Sequence, residues 1–210
     1  MSTETRKYEL KARAERQEET RRRIVEATAE LHEEVGPART TVAEIARRAG
    51  VQRLTVYNHF PGEPELFAAC SAHWIADHPF PDLEDALALD DPSEGVRVAL
   101  ARVYAWFREN QSMTEKIQRD RLLLPALEQQ VSGTMDVGLA ELSAGLAGGF
   151  KLRGRQAEQL RVRIRLALDF WTWRRLSIEG LDDEAAAALM AEASAPPTRR
   201  SGSGRRPSRY

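Results

Sequence analysis

The sequence predicts an all-α protein, with an N-terminal three-helix domain followed by a larger C-terminal helical bundle. Its 210 residues are 42% hydrophobic, which is enough apolar content to form a core in one or two domains. Apolar residues recur at helical spacing along most of the chain, and no stretch between turn signals alternates as a strand would. Clusters of Pro and Gly divide the periodic stretches into about nine helices.

Residues 1–20 form a charged N-terminal extension that is rich in Glu, Lys, Arg and Ala. This segment is predicted either to lengthen the first helix or to fray as an arm. Four of its basic side chains are candidates for contacts with phosphates or a minor groove, namely Lys7, Lys11, Arg13 and Arg16. Because acids are interleaved among these bases, a solvated charged helix is the favoured interpretation.

The stretch from Thr40 to Phe60 predicts a helix-turn-helix, in which a short helix, a tight turn and a second short helix follow one another. Thr41 with Glu44 has the pattern of a capping box, in which the hydroxyl takes an early backbone N–H and the carboxylate reaches back. Gly50 follows the apolar stripe of this helix, where a left-handed residue can end it. Such a unit lays its second helix in the DNA major groove.

The second helix of the motif is predicted to turn Val56 and Phe60 toward the core. That orientation leaves a polar outer face, with Gln52, Arg53, Leu54, Thr55, Tyr57, Asn58 and His59 on or near it. Gln, Arg and Asn can contact base edges, Leu suits a thymine methyl, and hydroxyls suit phosphate oxygens. The alternative is a three-helix bundle that binds no DNA. The combination of cap, apolar stripe, glycine turn and polar face favours DNA binding.

The motif resembles the DNA-binding domain of the tetracycline-repressor (TetR) family. The matching residues are T-V-x-x-I-A-x-x-A-G-V at positions 41–51 and T-V-Y-x-H-F at positions 55–60. Specific similarity covers residues 21–74, with the DNA-binding domain over 21–63, and the rest agrees only in helical character and length. The resemblance implies phosphate contacts for Thr41, Tyr57 and His59, and base or backbone contacts for Gln52, Arg53, Leu54, Thr55 and Asn58.

Two positions depart from the family pattern. Many members carry a lysine just after this motif that grips a phosphate, whereas the segment here is Pro61-Gly62-Glu63-Pro64. That phosphate contact is therefore not expected in this chain. Leu54 stands where a small residue is usual, which points to a different base preference.

Residues 64–195 are predicted to form a helical regulatory and dimerisation domain. Helices are expected over residues 64–78, 91–107, 113–123, 125–150, 155–179 and 182–193. The segment 164–176 is apolar around most of its circumference, so a helix there must be buried on more than one side. The resemblance implies a homodimer interface on the last two helices, with Leu166, Phe170, Trp173 and Leu189 as candidates. A helix buried deeply within a single chain is the alternative.

The resemblance also implies a pocket in this domain for a small molecule that releases the protein from its operator. The candidate pocket residues are the aromatic and Met side chains of the helices, namely Trp74, Tyr104, Phe107, Met113 and Met135. If these side chains line the pocket, the ligand is apolar and partly aromatic. Ordinary core packing is the alternative for each of them.

Charge is distributed unevenly along the chain, although the formal net charge is only −1. Residues 1–60 hold 12 Lys and Arg against 10 Asp and Glu, and residues 61–195 hold 14 against 22. Residues 196–210 hold five Arg and no acid, and they are predicted to form a disordered basic tail because they lack core residues. This asymmetry suits a DNA-contacting head on an acidic body.

Nothing in the sequence indicates a metal, a cofactor or a membrane partner. The single Cys70 excludes an internal disulfide, the N-terminus lacks a signal peptide, and no apolar run approaches the roughly 20 residues that span a bilayer. His73, Asp77 and His78 lie close together, but without a third matching ligand they are a weak metal signal. We therefore expect a cytoplasmic, dimeric, ligand-responsive transcriptional repressor that binds a double-stranded DNA operator and is not an enzyme. An all-helical enzyme and a protein-interaction adaptor are the alternatives.

Overall fold

A computed structural model describes residues 3–196, with side chains from residue 7 onward. Within that range it contains twelve α-helices and no strand, which confirms the all-α prediction. The helices are α1 Thr3–Glu34, α2 Val42–Ala49, α3 Arg53–His59, α4 Glu63–Asp77, α5 Glu84–Leu87, α6 Pro92–Glu109, α7 Gln111–Asp120, α8 Pro125–Gly133, α9 Met135–Gly148, α10 Gly154–Ala167, α11 Phe170–Ile178 and α12 Asp183–Ser194. The charged extension is the first part of α1. The tail predicted over residues 196–210 lies outside the described residues from 197 onward.

The head consists of α1 from residue 21 onward, α2 and α3, packed around a small apolar core. Its buried residues are Ile24, Val25, Ala27, Leu31, Ile45, Ala46, Ala49, Val56 and Phe60, joined by Leu66 of α4. Arg21 covers this core at the end of α3. Its guanidinium lies 4.2 Å from the centre of the Phe60 ring, and Nη1 donates to the His59 carbonyl at 3.4 Å. Both contacts fix the end of α3 against α1.

Both ends of α2 form as predicted at the backbone, but one side chain differs. Thr41 Oγ1 accepts the Glu44 N–H at 3.2 Å, and Gly50 adopts the left-handed conformation with φ 66°. The Glu44 carboxylate does not reach back to close the capping box, because it pairs with Arg47 on the same helix. One half of the predicted box is therefore present.

The body, α4 to α12, encloses a second core whose largest residues lie on α6, α10 and α11. Tyr104 and Trp173 are completely buried there and satisfy their polar atoms internally. The Tyr104 hydroxyl donates to the Ala167 carbonyl at 2.7 Å, and Trp173 Nε1 donates to Asp183 Oδ1 at 3.0 Å. Among the described residues, no helix is both long and apolar enough to cross a membrane.

Two segments predicted as continuous helices are each broken once. The segment 125–150 divides into α8 and α9 at Thr134, whose φ of −123° and ψ of −80° are not helical. The segment 155–179 divides into α10 and α11 just before Asp169, whose carboxylate caps α11 by accepting the Thr172 N–H at 3.0 Å. These breaks, together with the unpredicted short α5, account for twelve helices instead of about nine.

The break at Asp169 corrects the prediction for the apolar segment 164–176. Phe170 and Trp173 are only 3% and 0% exposed within the core of their own chain, so they present no surface to a second copy. The prediction assumed one uninterrupted helix, whereas α11 starts anew and turns both rings inward. Leu166 and Leu189 remain accessible, with 60% and 46% of their surface exposed.

Candidate DNA-binding surface and ligand cavity

The α3 helix presents a mostly polar surface away from the head core. Val56 and Phe60 are buried beneath it, whereas Leu54 and Tyr57 are 67% and 52% exposed. Thr41, Gln52, Arg53 and Asn58 are also exposed, and Thr55 and His59 are half-buried. The eight residues predicted to contact DNA therefore all retain accessible surface, as base and phosphate contacts require.

Arg53 differs from the neighbouring arginines of α2 in having no internal ion pair with any described residue. Arg47 pairs with Glu44, and Arg48 pairs with Glu34 through contacts of 2.5 and 2.8 Å. A guanidinium without an internal partner is available for bidentate contact with guanine or a phosphate. Of these three arginines, Arg53 is therefore the one best placed to bind DNA.

Acidic side chains occupy the first turn of α4, directly after α3. Glu63 and Glu65 lie there, where carboxylates interact favourably with the N-terminal end of a helix dipole. The same charges disfavour a phosphate at this position. This chain lacks the lysine that many members of the resembled family carry just after the motif. The N-terminal end of α4 therefore has no basic group there that would attract DNA.

A cavity of about 410 Å³ lies between the head and the body, with walls from α1, α4, α6, α7, α8 and α9. Its walls are largely apolar and include Phe67, Ile75, Phe80, Leu127 and Val131. Apolar cavities of this size, with a few polar groups, are typical of sites for small organic ligands.

Three of the five predicted pocket residues line this cavity, namely Trp74, Met113 and Met135. Tyr104 and Phe107 do not, and the prediction for these two is corrected. Both lie in the body core, where Phe107 packs edge-on against Phe170 with ring centroids 5.4 Å apart. They are core residues because the inward face of α6 at these positions is directed at α10 and α11, away from the cavity.

Most of the cavity wall was not predicted from the sequence, and its unpredicted residues include Trp106, His32 and Thr114. Trp106 directly precedes Phe107, and the periodicity of α6 alone does not distinguish which ring faces which neighbour. His32 lies on a helix of the head, far in sequence from the predicted pocket residues. The one signal in the sequence for a buried His32 is its position directly after Leu31, which lies on the buried side of α1.

His32 of α1 and Cys70 of α4 meet at the cavity. His32 Nδ1 lies 3.6 Å from Cys70 Sγ, and its ring packs against Phe67 with centroids 5.6 Å apart. Burial lowers the pKa of His32 to about 4 and raises the pKa of the Cys70 thiol to about 12. Both groups are therefore uncharged near neutral pH. Thr114 of α7, 3% exposed, is a second buried polar side chain in the wall.

The end of α4 packs on the cavity wall through His78. Its ring stacks on Trp74 with centroids 4.4 Å apart, and Nδ1 lies 2.9 Å from the Trp74 carbonyl oxygen. Within the described part of the chain, no three His, Cys, Asp or Glu side chains come together as metal ligands.

The α7 helix connects the cavity to the 3-10 turn Pro37–Arg39 between α1 and α2. Met113, Thr114 and Ile117 of α7 line the cavity. Asp120 at its end is 1% exposed and accepts the Ala38 N–H at 3.0 Å. Arg119 pairs with this carboxylate and donates to the Val35 carbonyl at 3.4 Å. The head is therefore joined to the body by α7 as well as by α4.

Known proteins resemble the chain mainly in its N-terminal region. A family profile described as "Bacterial regulatory proteins, tetR family" matches residues 24–70. The HTH-type transcriptional regulator SrpR of Pseudomonas putida is 39% identical over 84 residues, which are 40% of this chain and 38% of SrpR. The HTH-type transcriptional regulator TtgR of the same species is 44% identical over 66 residues, 30% of this chain and 31% of TtgR. The matched segments therefore span well under half the length of these relatives.

A solved structure agrees over more of the chain. A TetR-like transcriptional regulator from Rhodococcus sp. RHA1 superposes with a TM-score of 0.57 at 20% identity, covering 83% of this chain and 93% of that chain. At that identity the likeness concerns the fold, including the helical body that the sequence matches do not reach. Residues 24–70 contain α2 and α3 in full, and it is this helix-turn-helix region of the chain that matches the tetR family of bacterial regulatory proteins.

Proposed function

We propose that the protein is a sequence-specific DNA-binding transcriptional regulator that reads a duplex with α3. The observation that carries the proposal is the exposed polar side of α3, held over a core that fixes Val56 and Phe60 beneath it. The second helix of a helix-turn-helix enters the major groove, where Arg, Asn and Gln contact base edges. We assign Gln52, Arg53, Leu54, Thr55 and Asn58 to bases or backbone, and Thr41, Tyr57 and His59 to phosphates.

The names of the relatives favour regulation over catalysis, because SrpR and TtgR are both transcriptional regulators. On this basis residues 21–63 are the DNA-binding domain and residues 64–195 the regulatory and dimerisation domain. The site of such a regulator is the cytoplasm, where the operator is found.

The functional unit in this proposal is a homodimer that associates through α10, α11 and α12. These helices expose large apolar side chains, namely Val162, Leu166, Trp171, Ile178 and Leu189. Exposed apolar side chains on neighbouring helices commonly mark a protein contact. A two-fold dimer also presents two copies of α3 to half-sites about 34 Å apart, which suits a palindromic operator.

The regulator is proposed to be a repressor that a small molecule in the cavity releases from DNA. The α4 helix begins just after α3 and contributes Phe67, Cys70 and Trp74 to the cavity wall. A ligand that shifts α4 therefore changes the placement of the head. Such a ligand must bind more tightly to the head spacing that does not match the operator, since only differential affinity shifts an equilibrium.

The first test is the selection of bound duplexes from a random DNA library by the purified full chain. We expect enrichment of a palindrome with two half-sites. A variant with both Arg53 and Tyr57 replaced by Ala is the control, because both side chains are exposed and their removal leaves the head core intact. The proposal fails if the folded parent protein enriches no sequence in moderate salt, or if this variant enriches the same palindrome equally well.

A further inference from the structure

We infer that the cavity binds an uncharged aromatic compound with one hydrogen-bond acceptor, and that His32 holds this acceptor with Thr114 as the second polar contact. The inference rests on the proposed ligand response. It adds the chemical class of the ligand and a ligand-binding residue within the head itself.

Two polar side chains of the cavity wall are almost completely buried and only partly satisfied. His32 and Thr114 are each 3% exposed. In the described part of the chain, Cys70 Sγ partners His32 Nδ1, while neither His32 Nε2 nor the Thr114 hydroxyl has a hydrogen-bond partner. Among the described residues, Trp74 Nε1 is the buried side-chain polar atom that lacks both a partner and accessible surface, so His32 Nε2 and the Thr114 hydroxyl retain some accessible surface. Both atoms are therefore free to hydrogen-bond a ligand and to orient it within an otherwise apolar wall.

The protonation of the His32–Cys70 pair makes His32 a donor toward the cavity. Burial keeps the imidazole neutral, with a pKa of about 4, and keeps the thiol protonated. A neutral imidazole has one strong acceptor nitrogen, whereas thiol sulfur is a weak acceptor, so the S–H is assigned as donor to Nδ1. The ring proton then lies on Nε2. The matching ligand atom is an acceptor such as a carbonyl oxygen.

The rest of the wall offers no charge that would neutralise an ion. Among the described residues that line the cavity there is no Lys, Arg, Asp or Glu. The ring of His78 is stacked on Trp74, with Nδ1 at the Trp74 carbonyl. An ionised ligand would lose its hydration without gaining a counter-charge, which is strongly unfavourable. The ligand is therefore uncharged.

The shape and composition of the wall favour flat rings. Trp106 meets Trp74 and Phe80 edge-on, with ring centroids 5.9 and 5.4 Å apart, and Phe67 completes an aromatic lining. Aromatic walls stack well with aromatic ligands in offset or edge-on geometry. The cavity of about 410 Å³ suits a compound of about two fused rings.

Binding at His32 would place the ligand directly on the head. His32 belongs to α1, and Thr114 belongs to α7, whose last residue Asp120 holds the Ala38 N–H. One ligand acceptor thus contacts the two helices that meet at the joint between head and body. A hydrogen bond that exists only when the cavity is occupied biases the relative placement of these helices.

The test compares three compounds of similar shape with the full-length protein. Acetylnaphthalene carries a carbonyl acceptor, isopropylnaphthalene lacks it, and naphthoate is an anion. Binding is measured by calorimetry and by intrinsic tryptophan fluorescence, to which the cavity residues Trp74 and Trp106 contribute. We expect acetylnaphthalene to bind about tenfold more tightly than isopropylnaphthalene, the factor that corresponds to one hydrogen bond to a buried group. Naphthoate is expected to bind more weakly than either.

Substitutions at His32 and Thr114 distinguish the effect of the donated hydrogen bond from the effect of side-chain shape. His32→Phe keeps a ring and is expected to abolish the tenfold preference, while His32→Gln restores an N–H donor and is expected to recover part of it. Thr114→Val, which keeps the side-chain shape, is expected to reduce the preference independently. Thr28→Val is the matched control, because this buried hydroxyl lies one turn earlier on α1, bonds to the Ile24 carbonyl and is not in the cavity wall.

Four outcomes would overturn the inference: equal affinity for all three compounds, tightest binding of naphthoate, no binding of any of them, or a preference that survives in His32→Phe. Failure of the proposed regulation looks different. In that case the acceptor preference and its dependence on His32 remain, while the selected duplex binds equally well with and without acetylnaphthalene.

Discussion

Arg53 and Tyr57 lie four residues apart on the exposed side of α3, but the contacts expected of them differ in kind. A guanidinium can read a base edge through two parallel hydrogen bonds, whereas a phenol suits a phosphate oxygen. The first contact depends on sequence and the second does not. The two side chains therefore provide a matched pair for testing which part of the surface reads bases.

Replacing Arg53 by Ala is expected to weaken binding to the selected duplex by about 1–3 kcal/mol and to relax the preference at one base pair. Tyr57→Phe is expected to weaken binding evenly across sequences, because only a phosphate contact is lost. Anisotropy titrations against the selected duplex and its single-base variants measure both effects. An equal loss on every duplex for Arg53→Ala would contradict its assignment to a base.

His32 predicts a pH dependence of stability. Burial lowers its pKa to about 4 from 6.5, and the nearby Asp120 carboxylate opposes this effect only partly. The unfolded chain therefore binds the proton more tightly than the folded chain. The stability that depends on a neutral His32 is complete above pH 6.5 and is lost as the pH falls toward 4. Between about pH 7.5 and about pH 5, the parent protein should lose about 2 kcal/mol more unfolding free energy than His32→Phe.

Urea unfolding of both proteins at the two pH values measures this difference. Thr28→Val is the control, since it alters a buried polar group on the same helix without changing a titrating group, and its pH dependence should match that of the parent. If His32→Phe loses stability as steeply as the parent on acidification, the imidazole is not the group responsible.

At the scale of the elements, Gly36 determines how α1 is joined to α2. Its φ of 94° and ψ of 156° belong to a region that side chains rarely adopt, and a Cβ there would lie 2.5 Å from Asp120 Oδ2. Gly36→Ala is expected to destabilise the protein by about 1–3 kcal/mol through backbone strain, and to disturb the contact between α7 and the turn.

Gly148→Ala is the matched control for this change. Gly148 lies in α9 with nothing within 4 Å of an added Cβ, so alanine there should be neutral or stabilising by about 0.5–1 kcal/mol. Thermal and urea unfolding compare the two variants with the parent protein. Equal stability of the two variants would mean that alanine adopts the backbone conformation of Gly36 without strain.

Helices with local signals at both ends could be predicted from sequence, whereas helix breaks set by packing could not. Thr41 and Gly50 define α2 within the chain itself. Asp169 follows an apolar run that has no Gly or Pro, and its role as a cap appears only because Phe170 and Trp173 enter the body core. The same limit applies to the cavity, since His32 reaches its wall only when α1, α4 and α7 are assembled.

At the scale of the whole molecule, the exposed apolar side chains of α10 to α12 predict a dimer. The parent protein should have about twice the 23.6 kDa mass of one chain in light scattering. Leu166→Glu is expected to yield monomers without loss of fold, because Leu166 is 60% exposed in the single chain. Affinity for the palindrome should fall, since two linked heads bind far more tightly than one.

The control for this change is Leu122→Glu, which introduces the same charge at a leucine that is 83% exposed in the turn between α7 and α8. Its mass and its affinity for the palindrome should equal those of the parent protein. A dimer that persists in Leu166→Glu would place the interface elsewhere.

Coupling between the cavity and DNA can be measured from both ends. If acetylnaphthalene weakens binding of the selected duplex by some factor, the duplex must weaken binding of acetylnaphthalene by the same factor. Both factors express the same coupling free energy between the two sites. We expect about 5- to 150-fold, the usual range of such coupling. In His32→Phe the factor should fall in both titrations, since the contact with α1 is lost. Thr28→Val should keep the parent value, and a factor unchanged in His32→Phe would mean that the signal travels through α4 without α1.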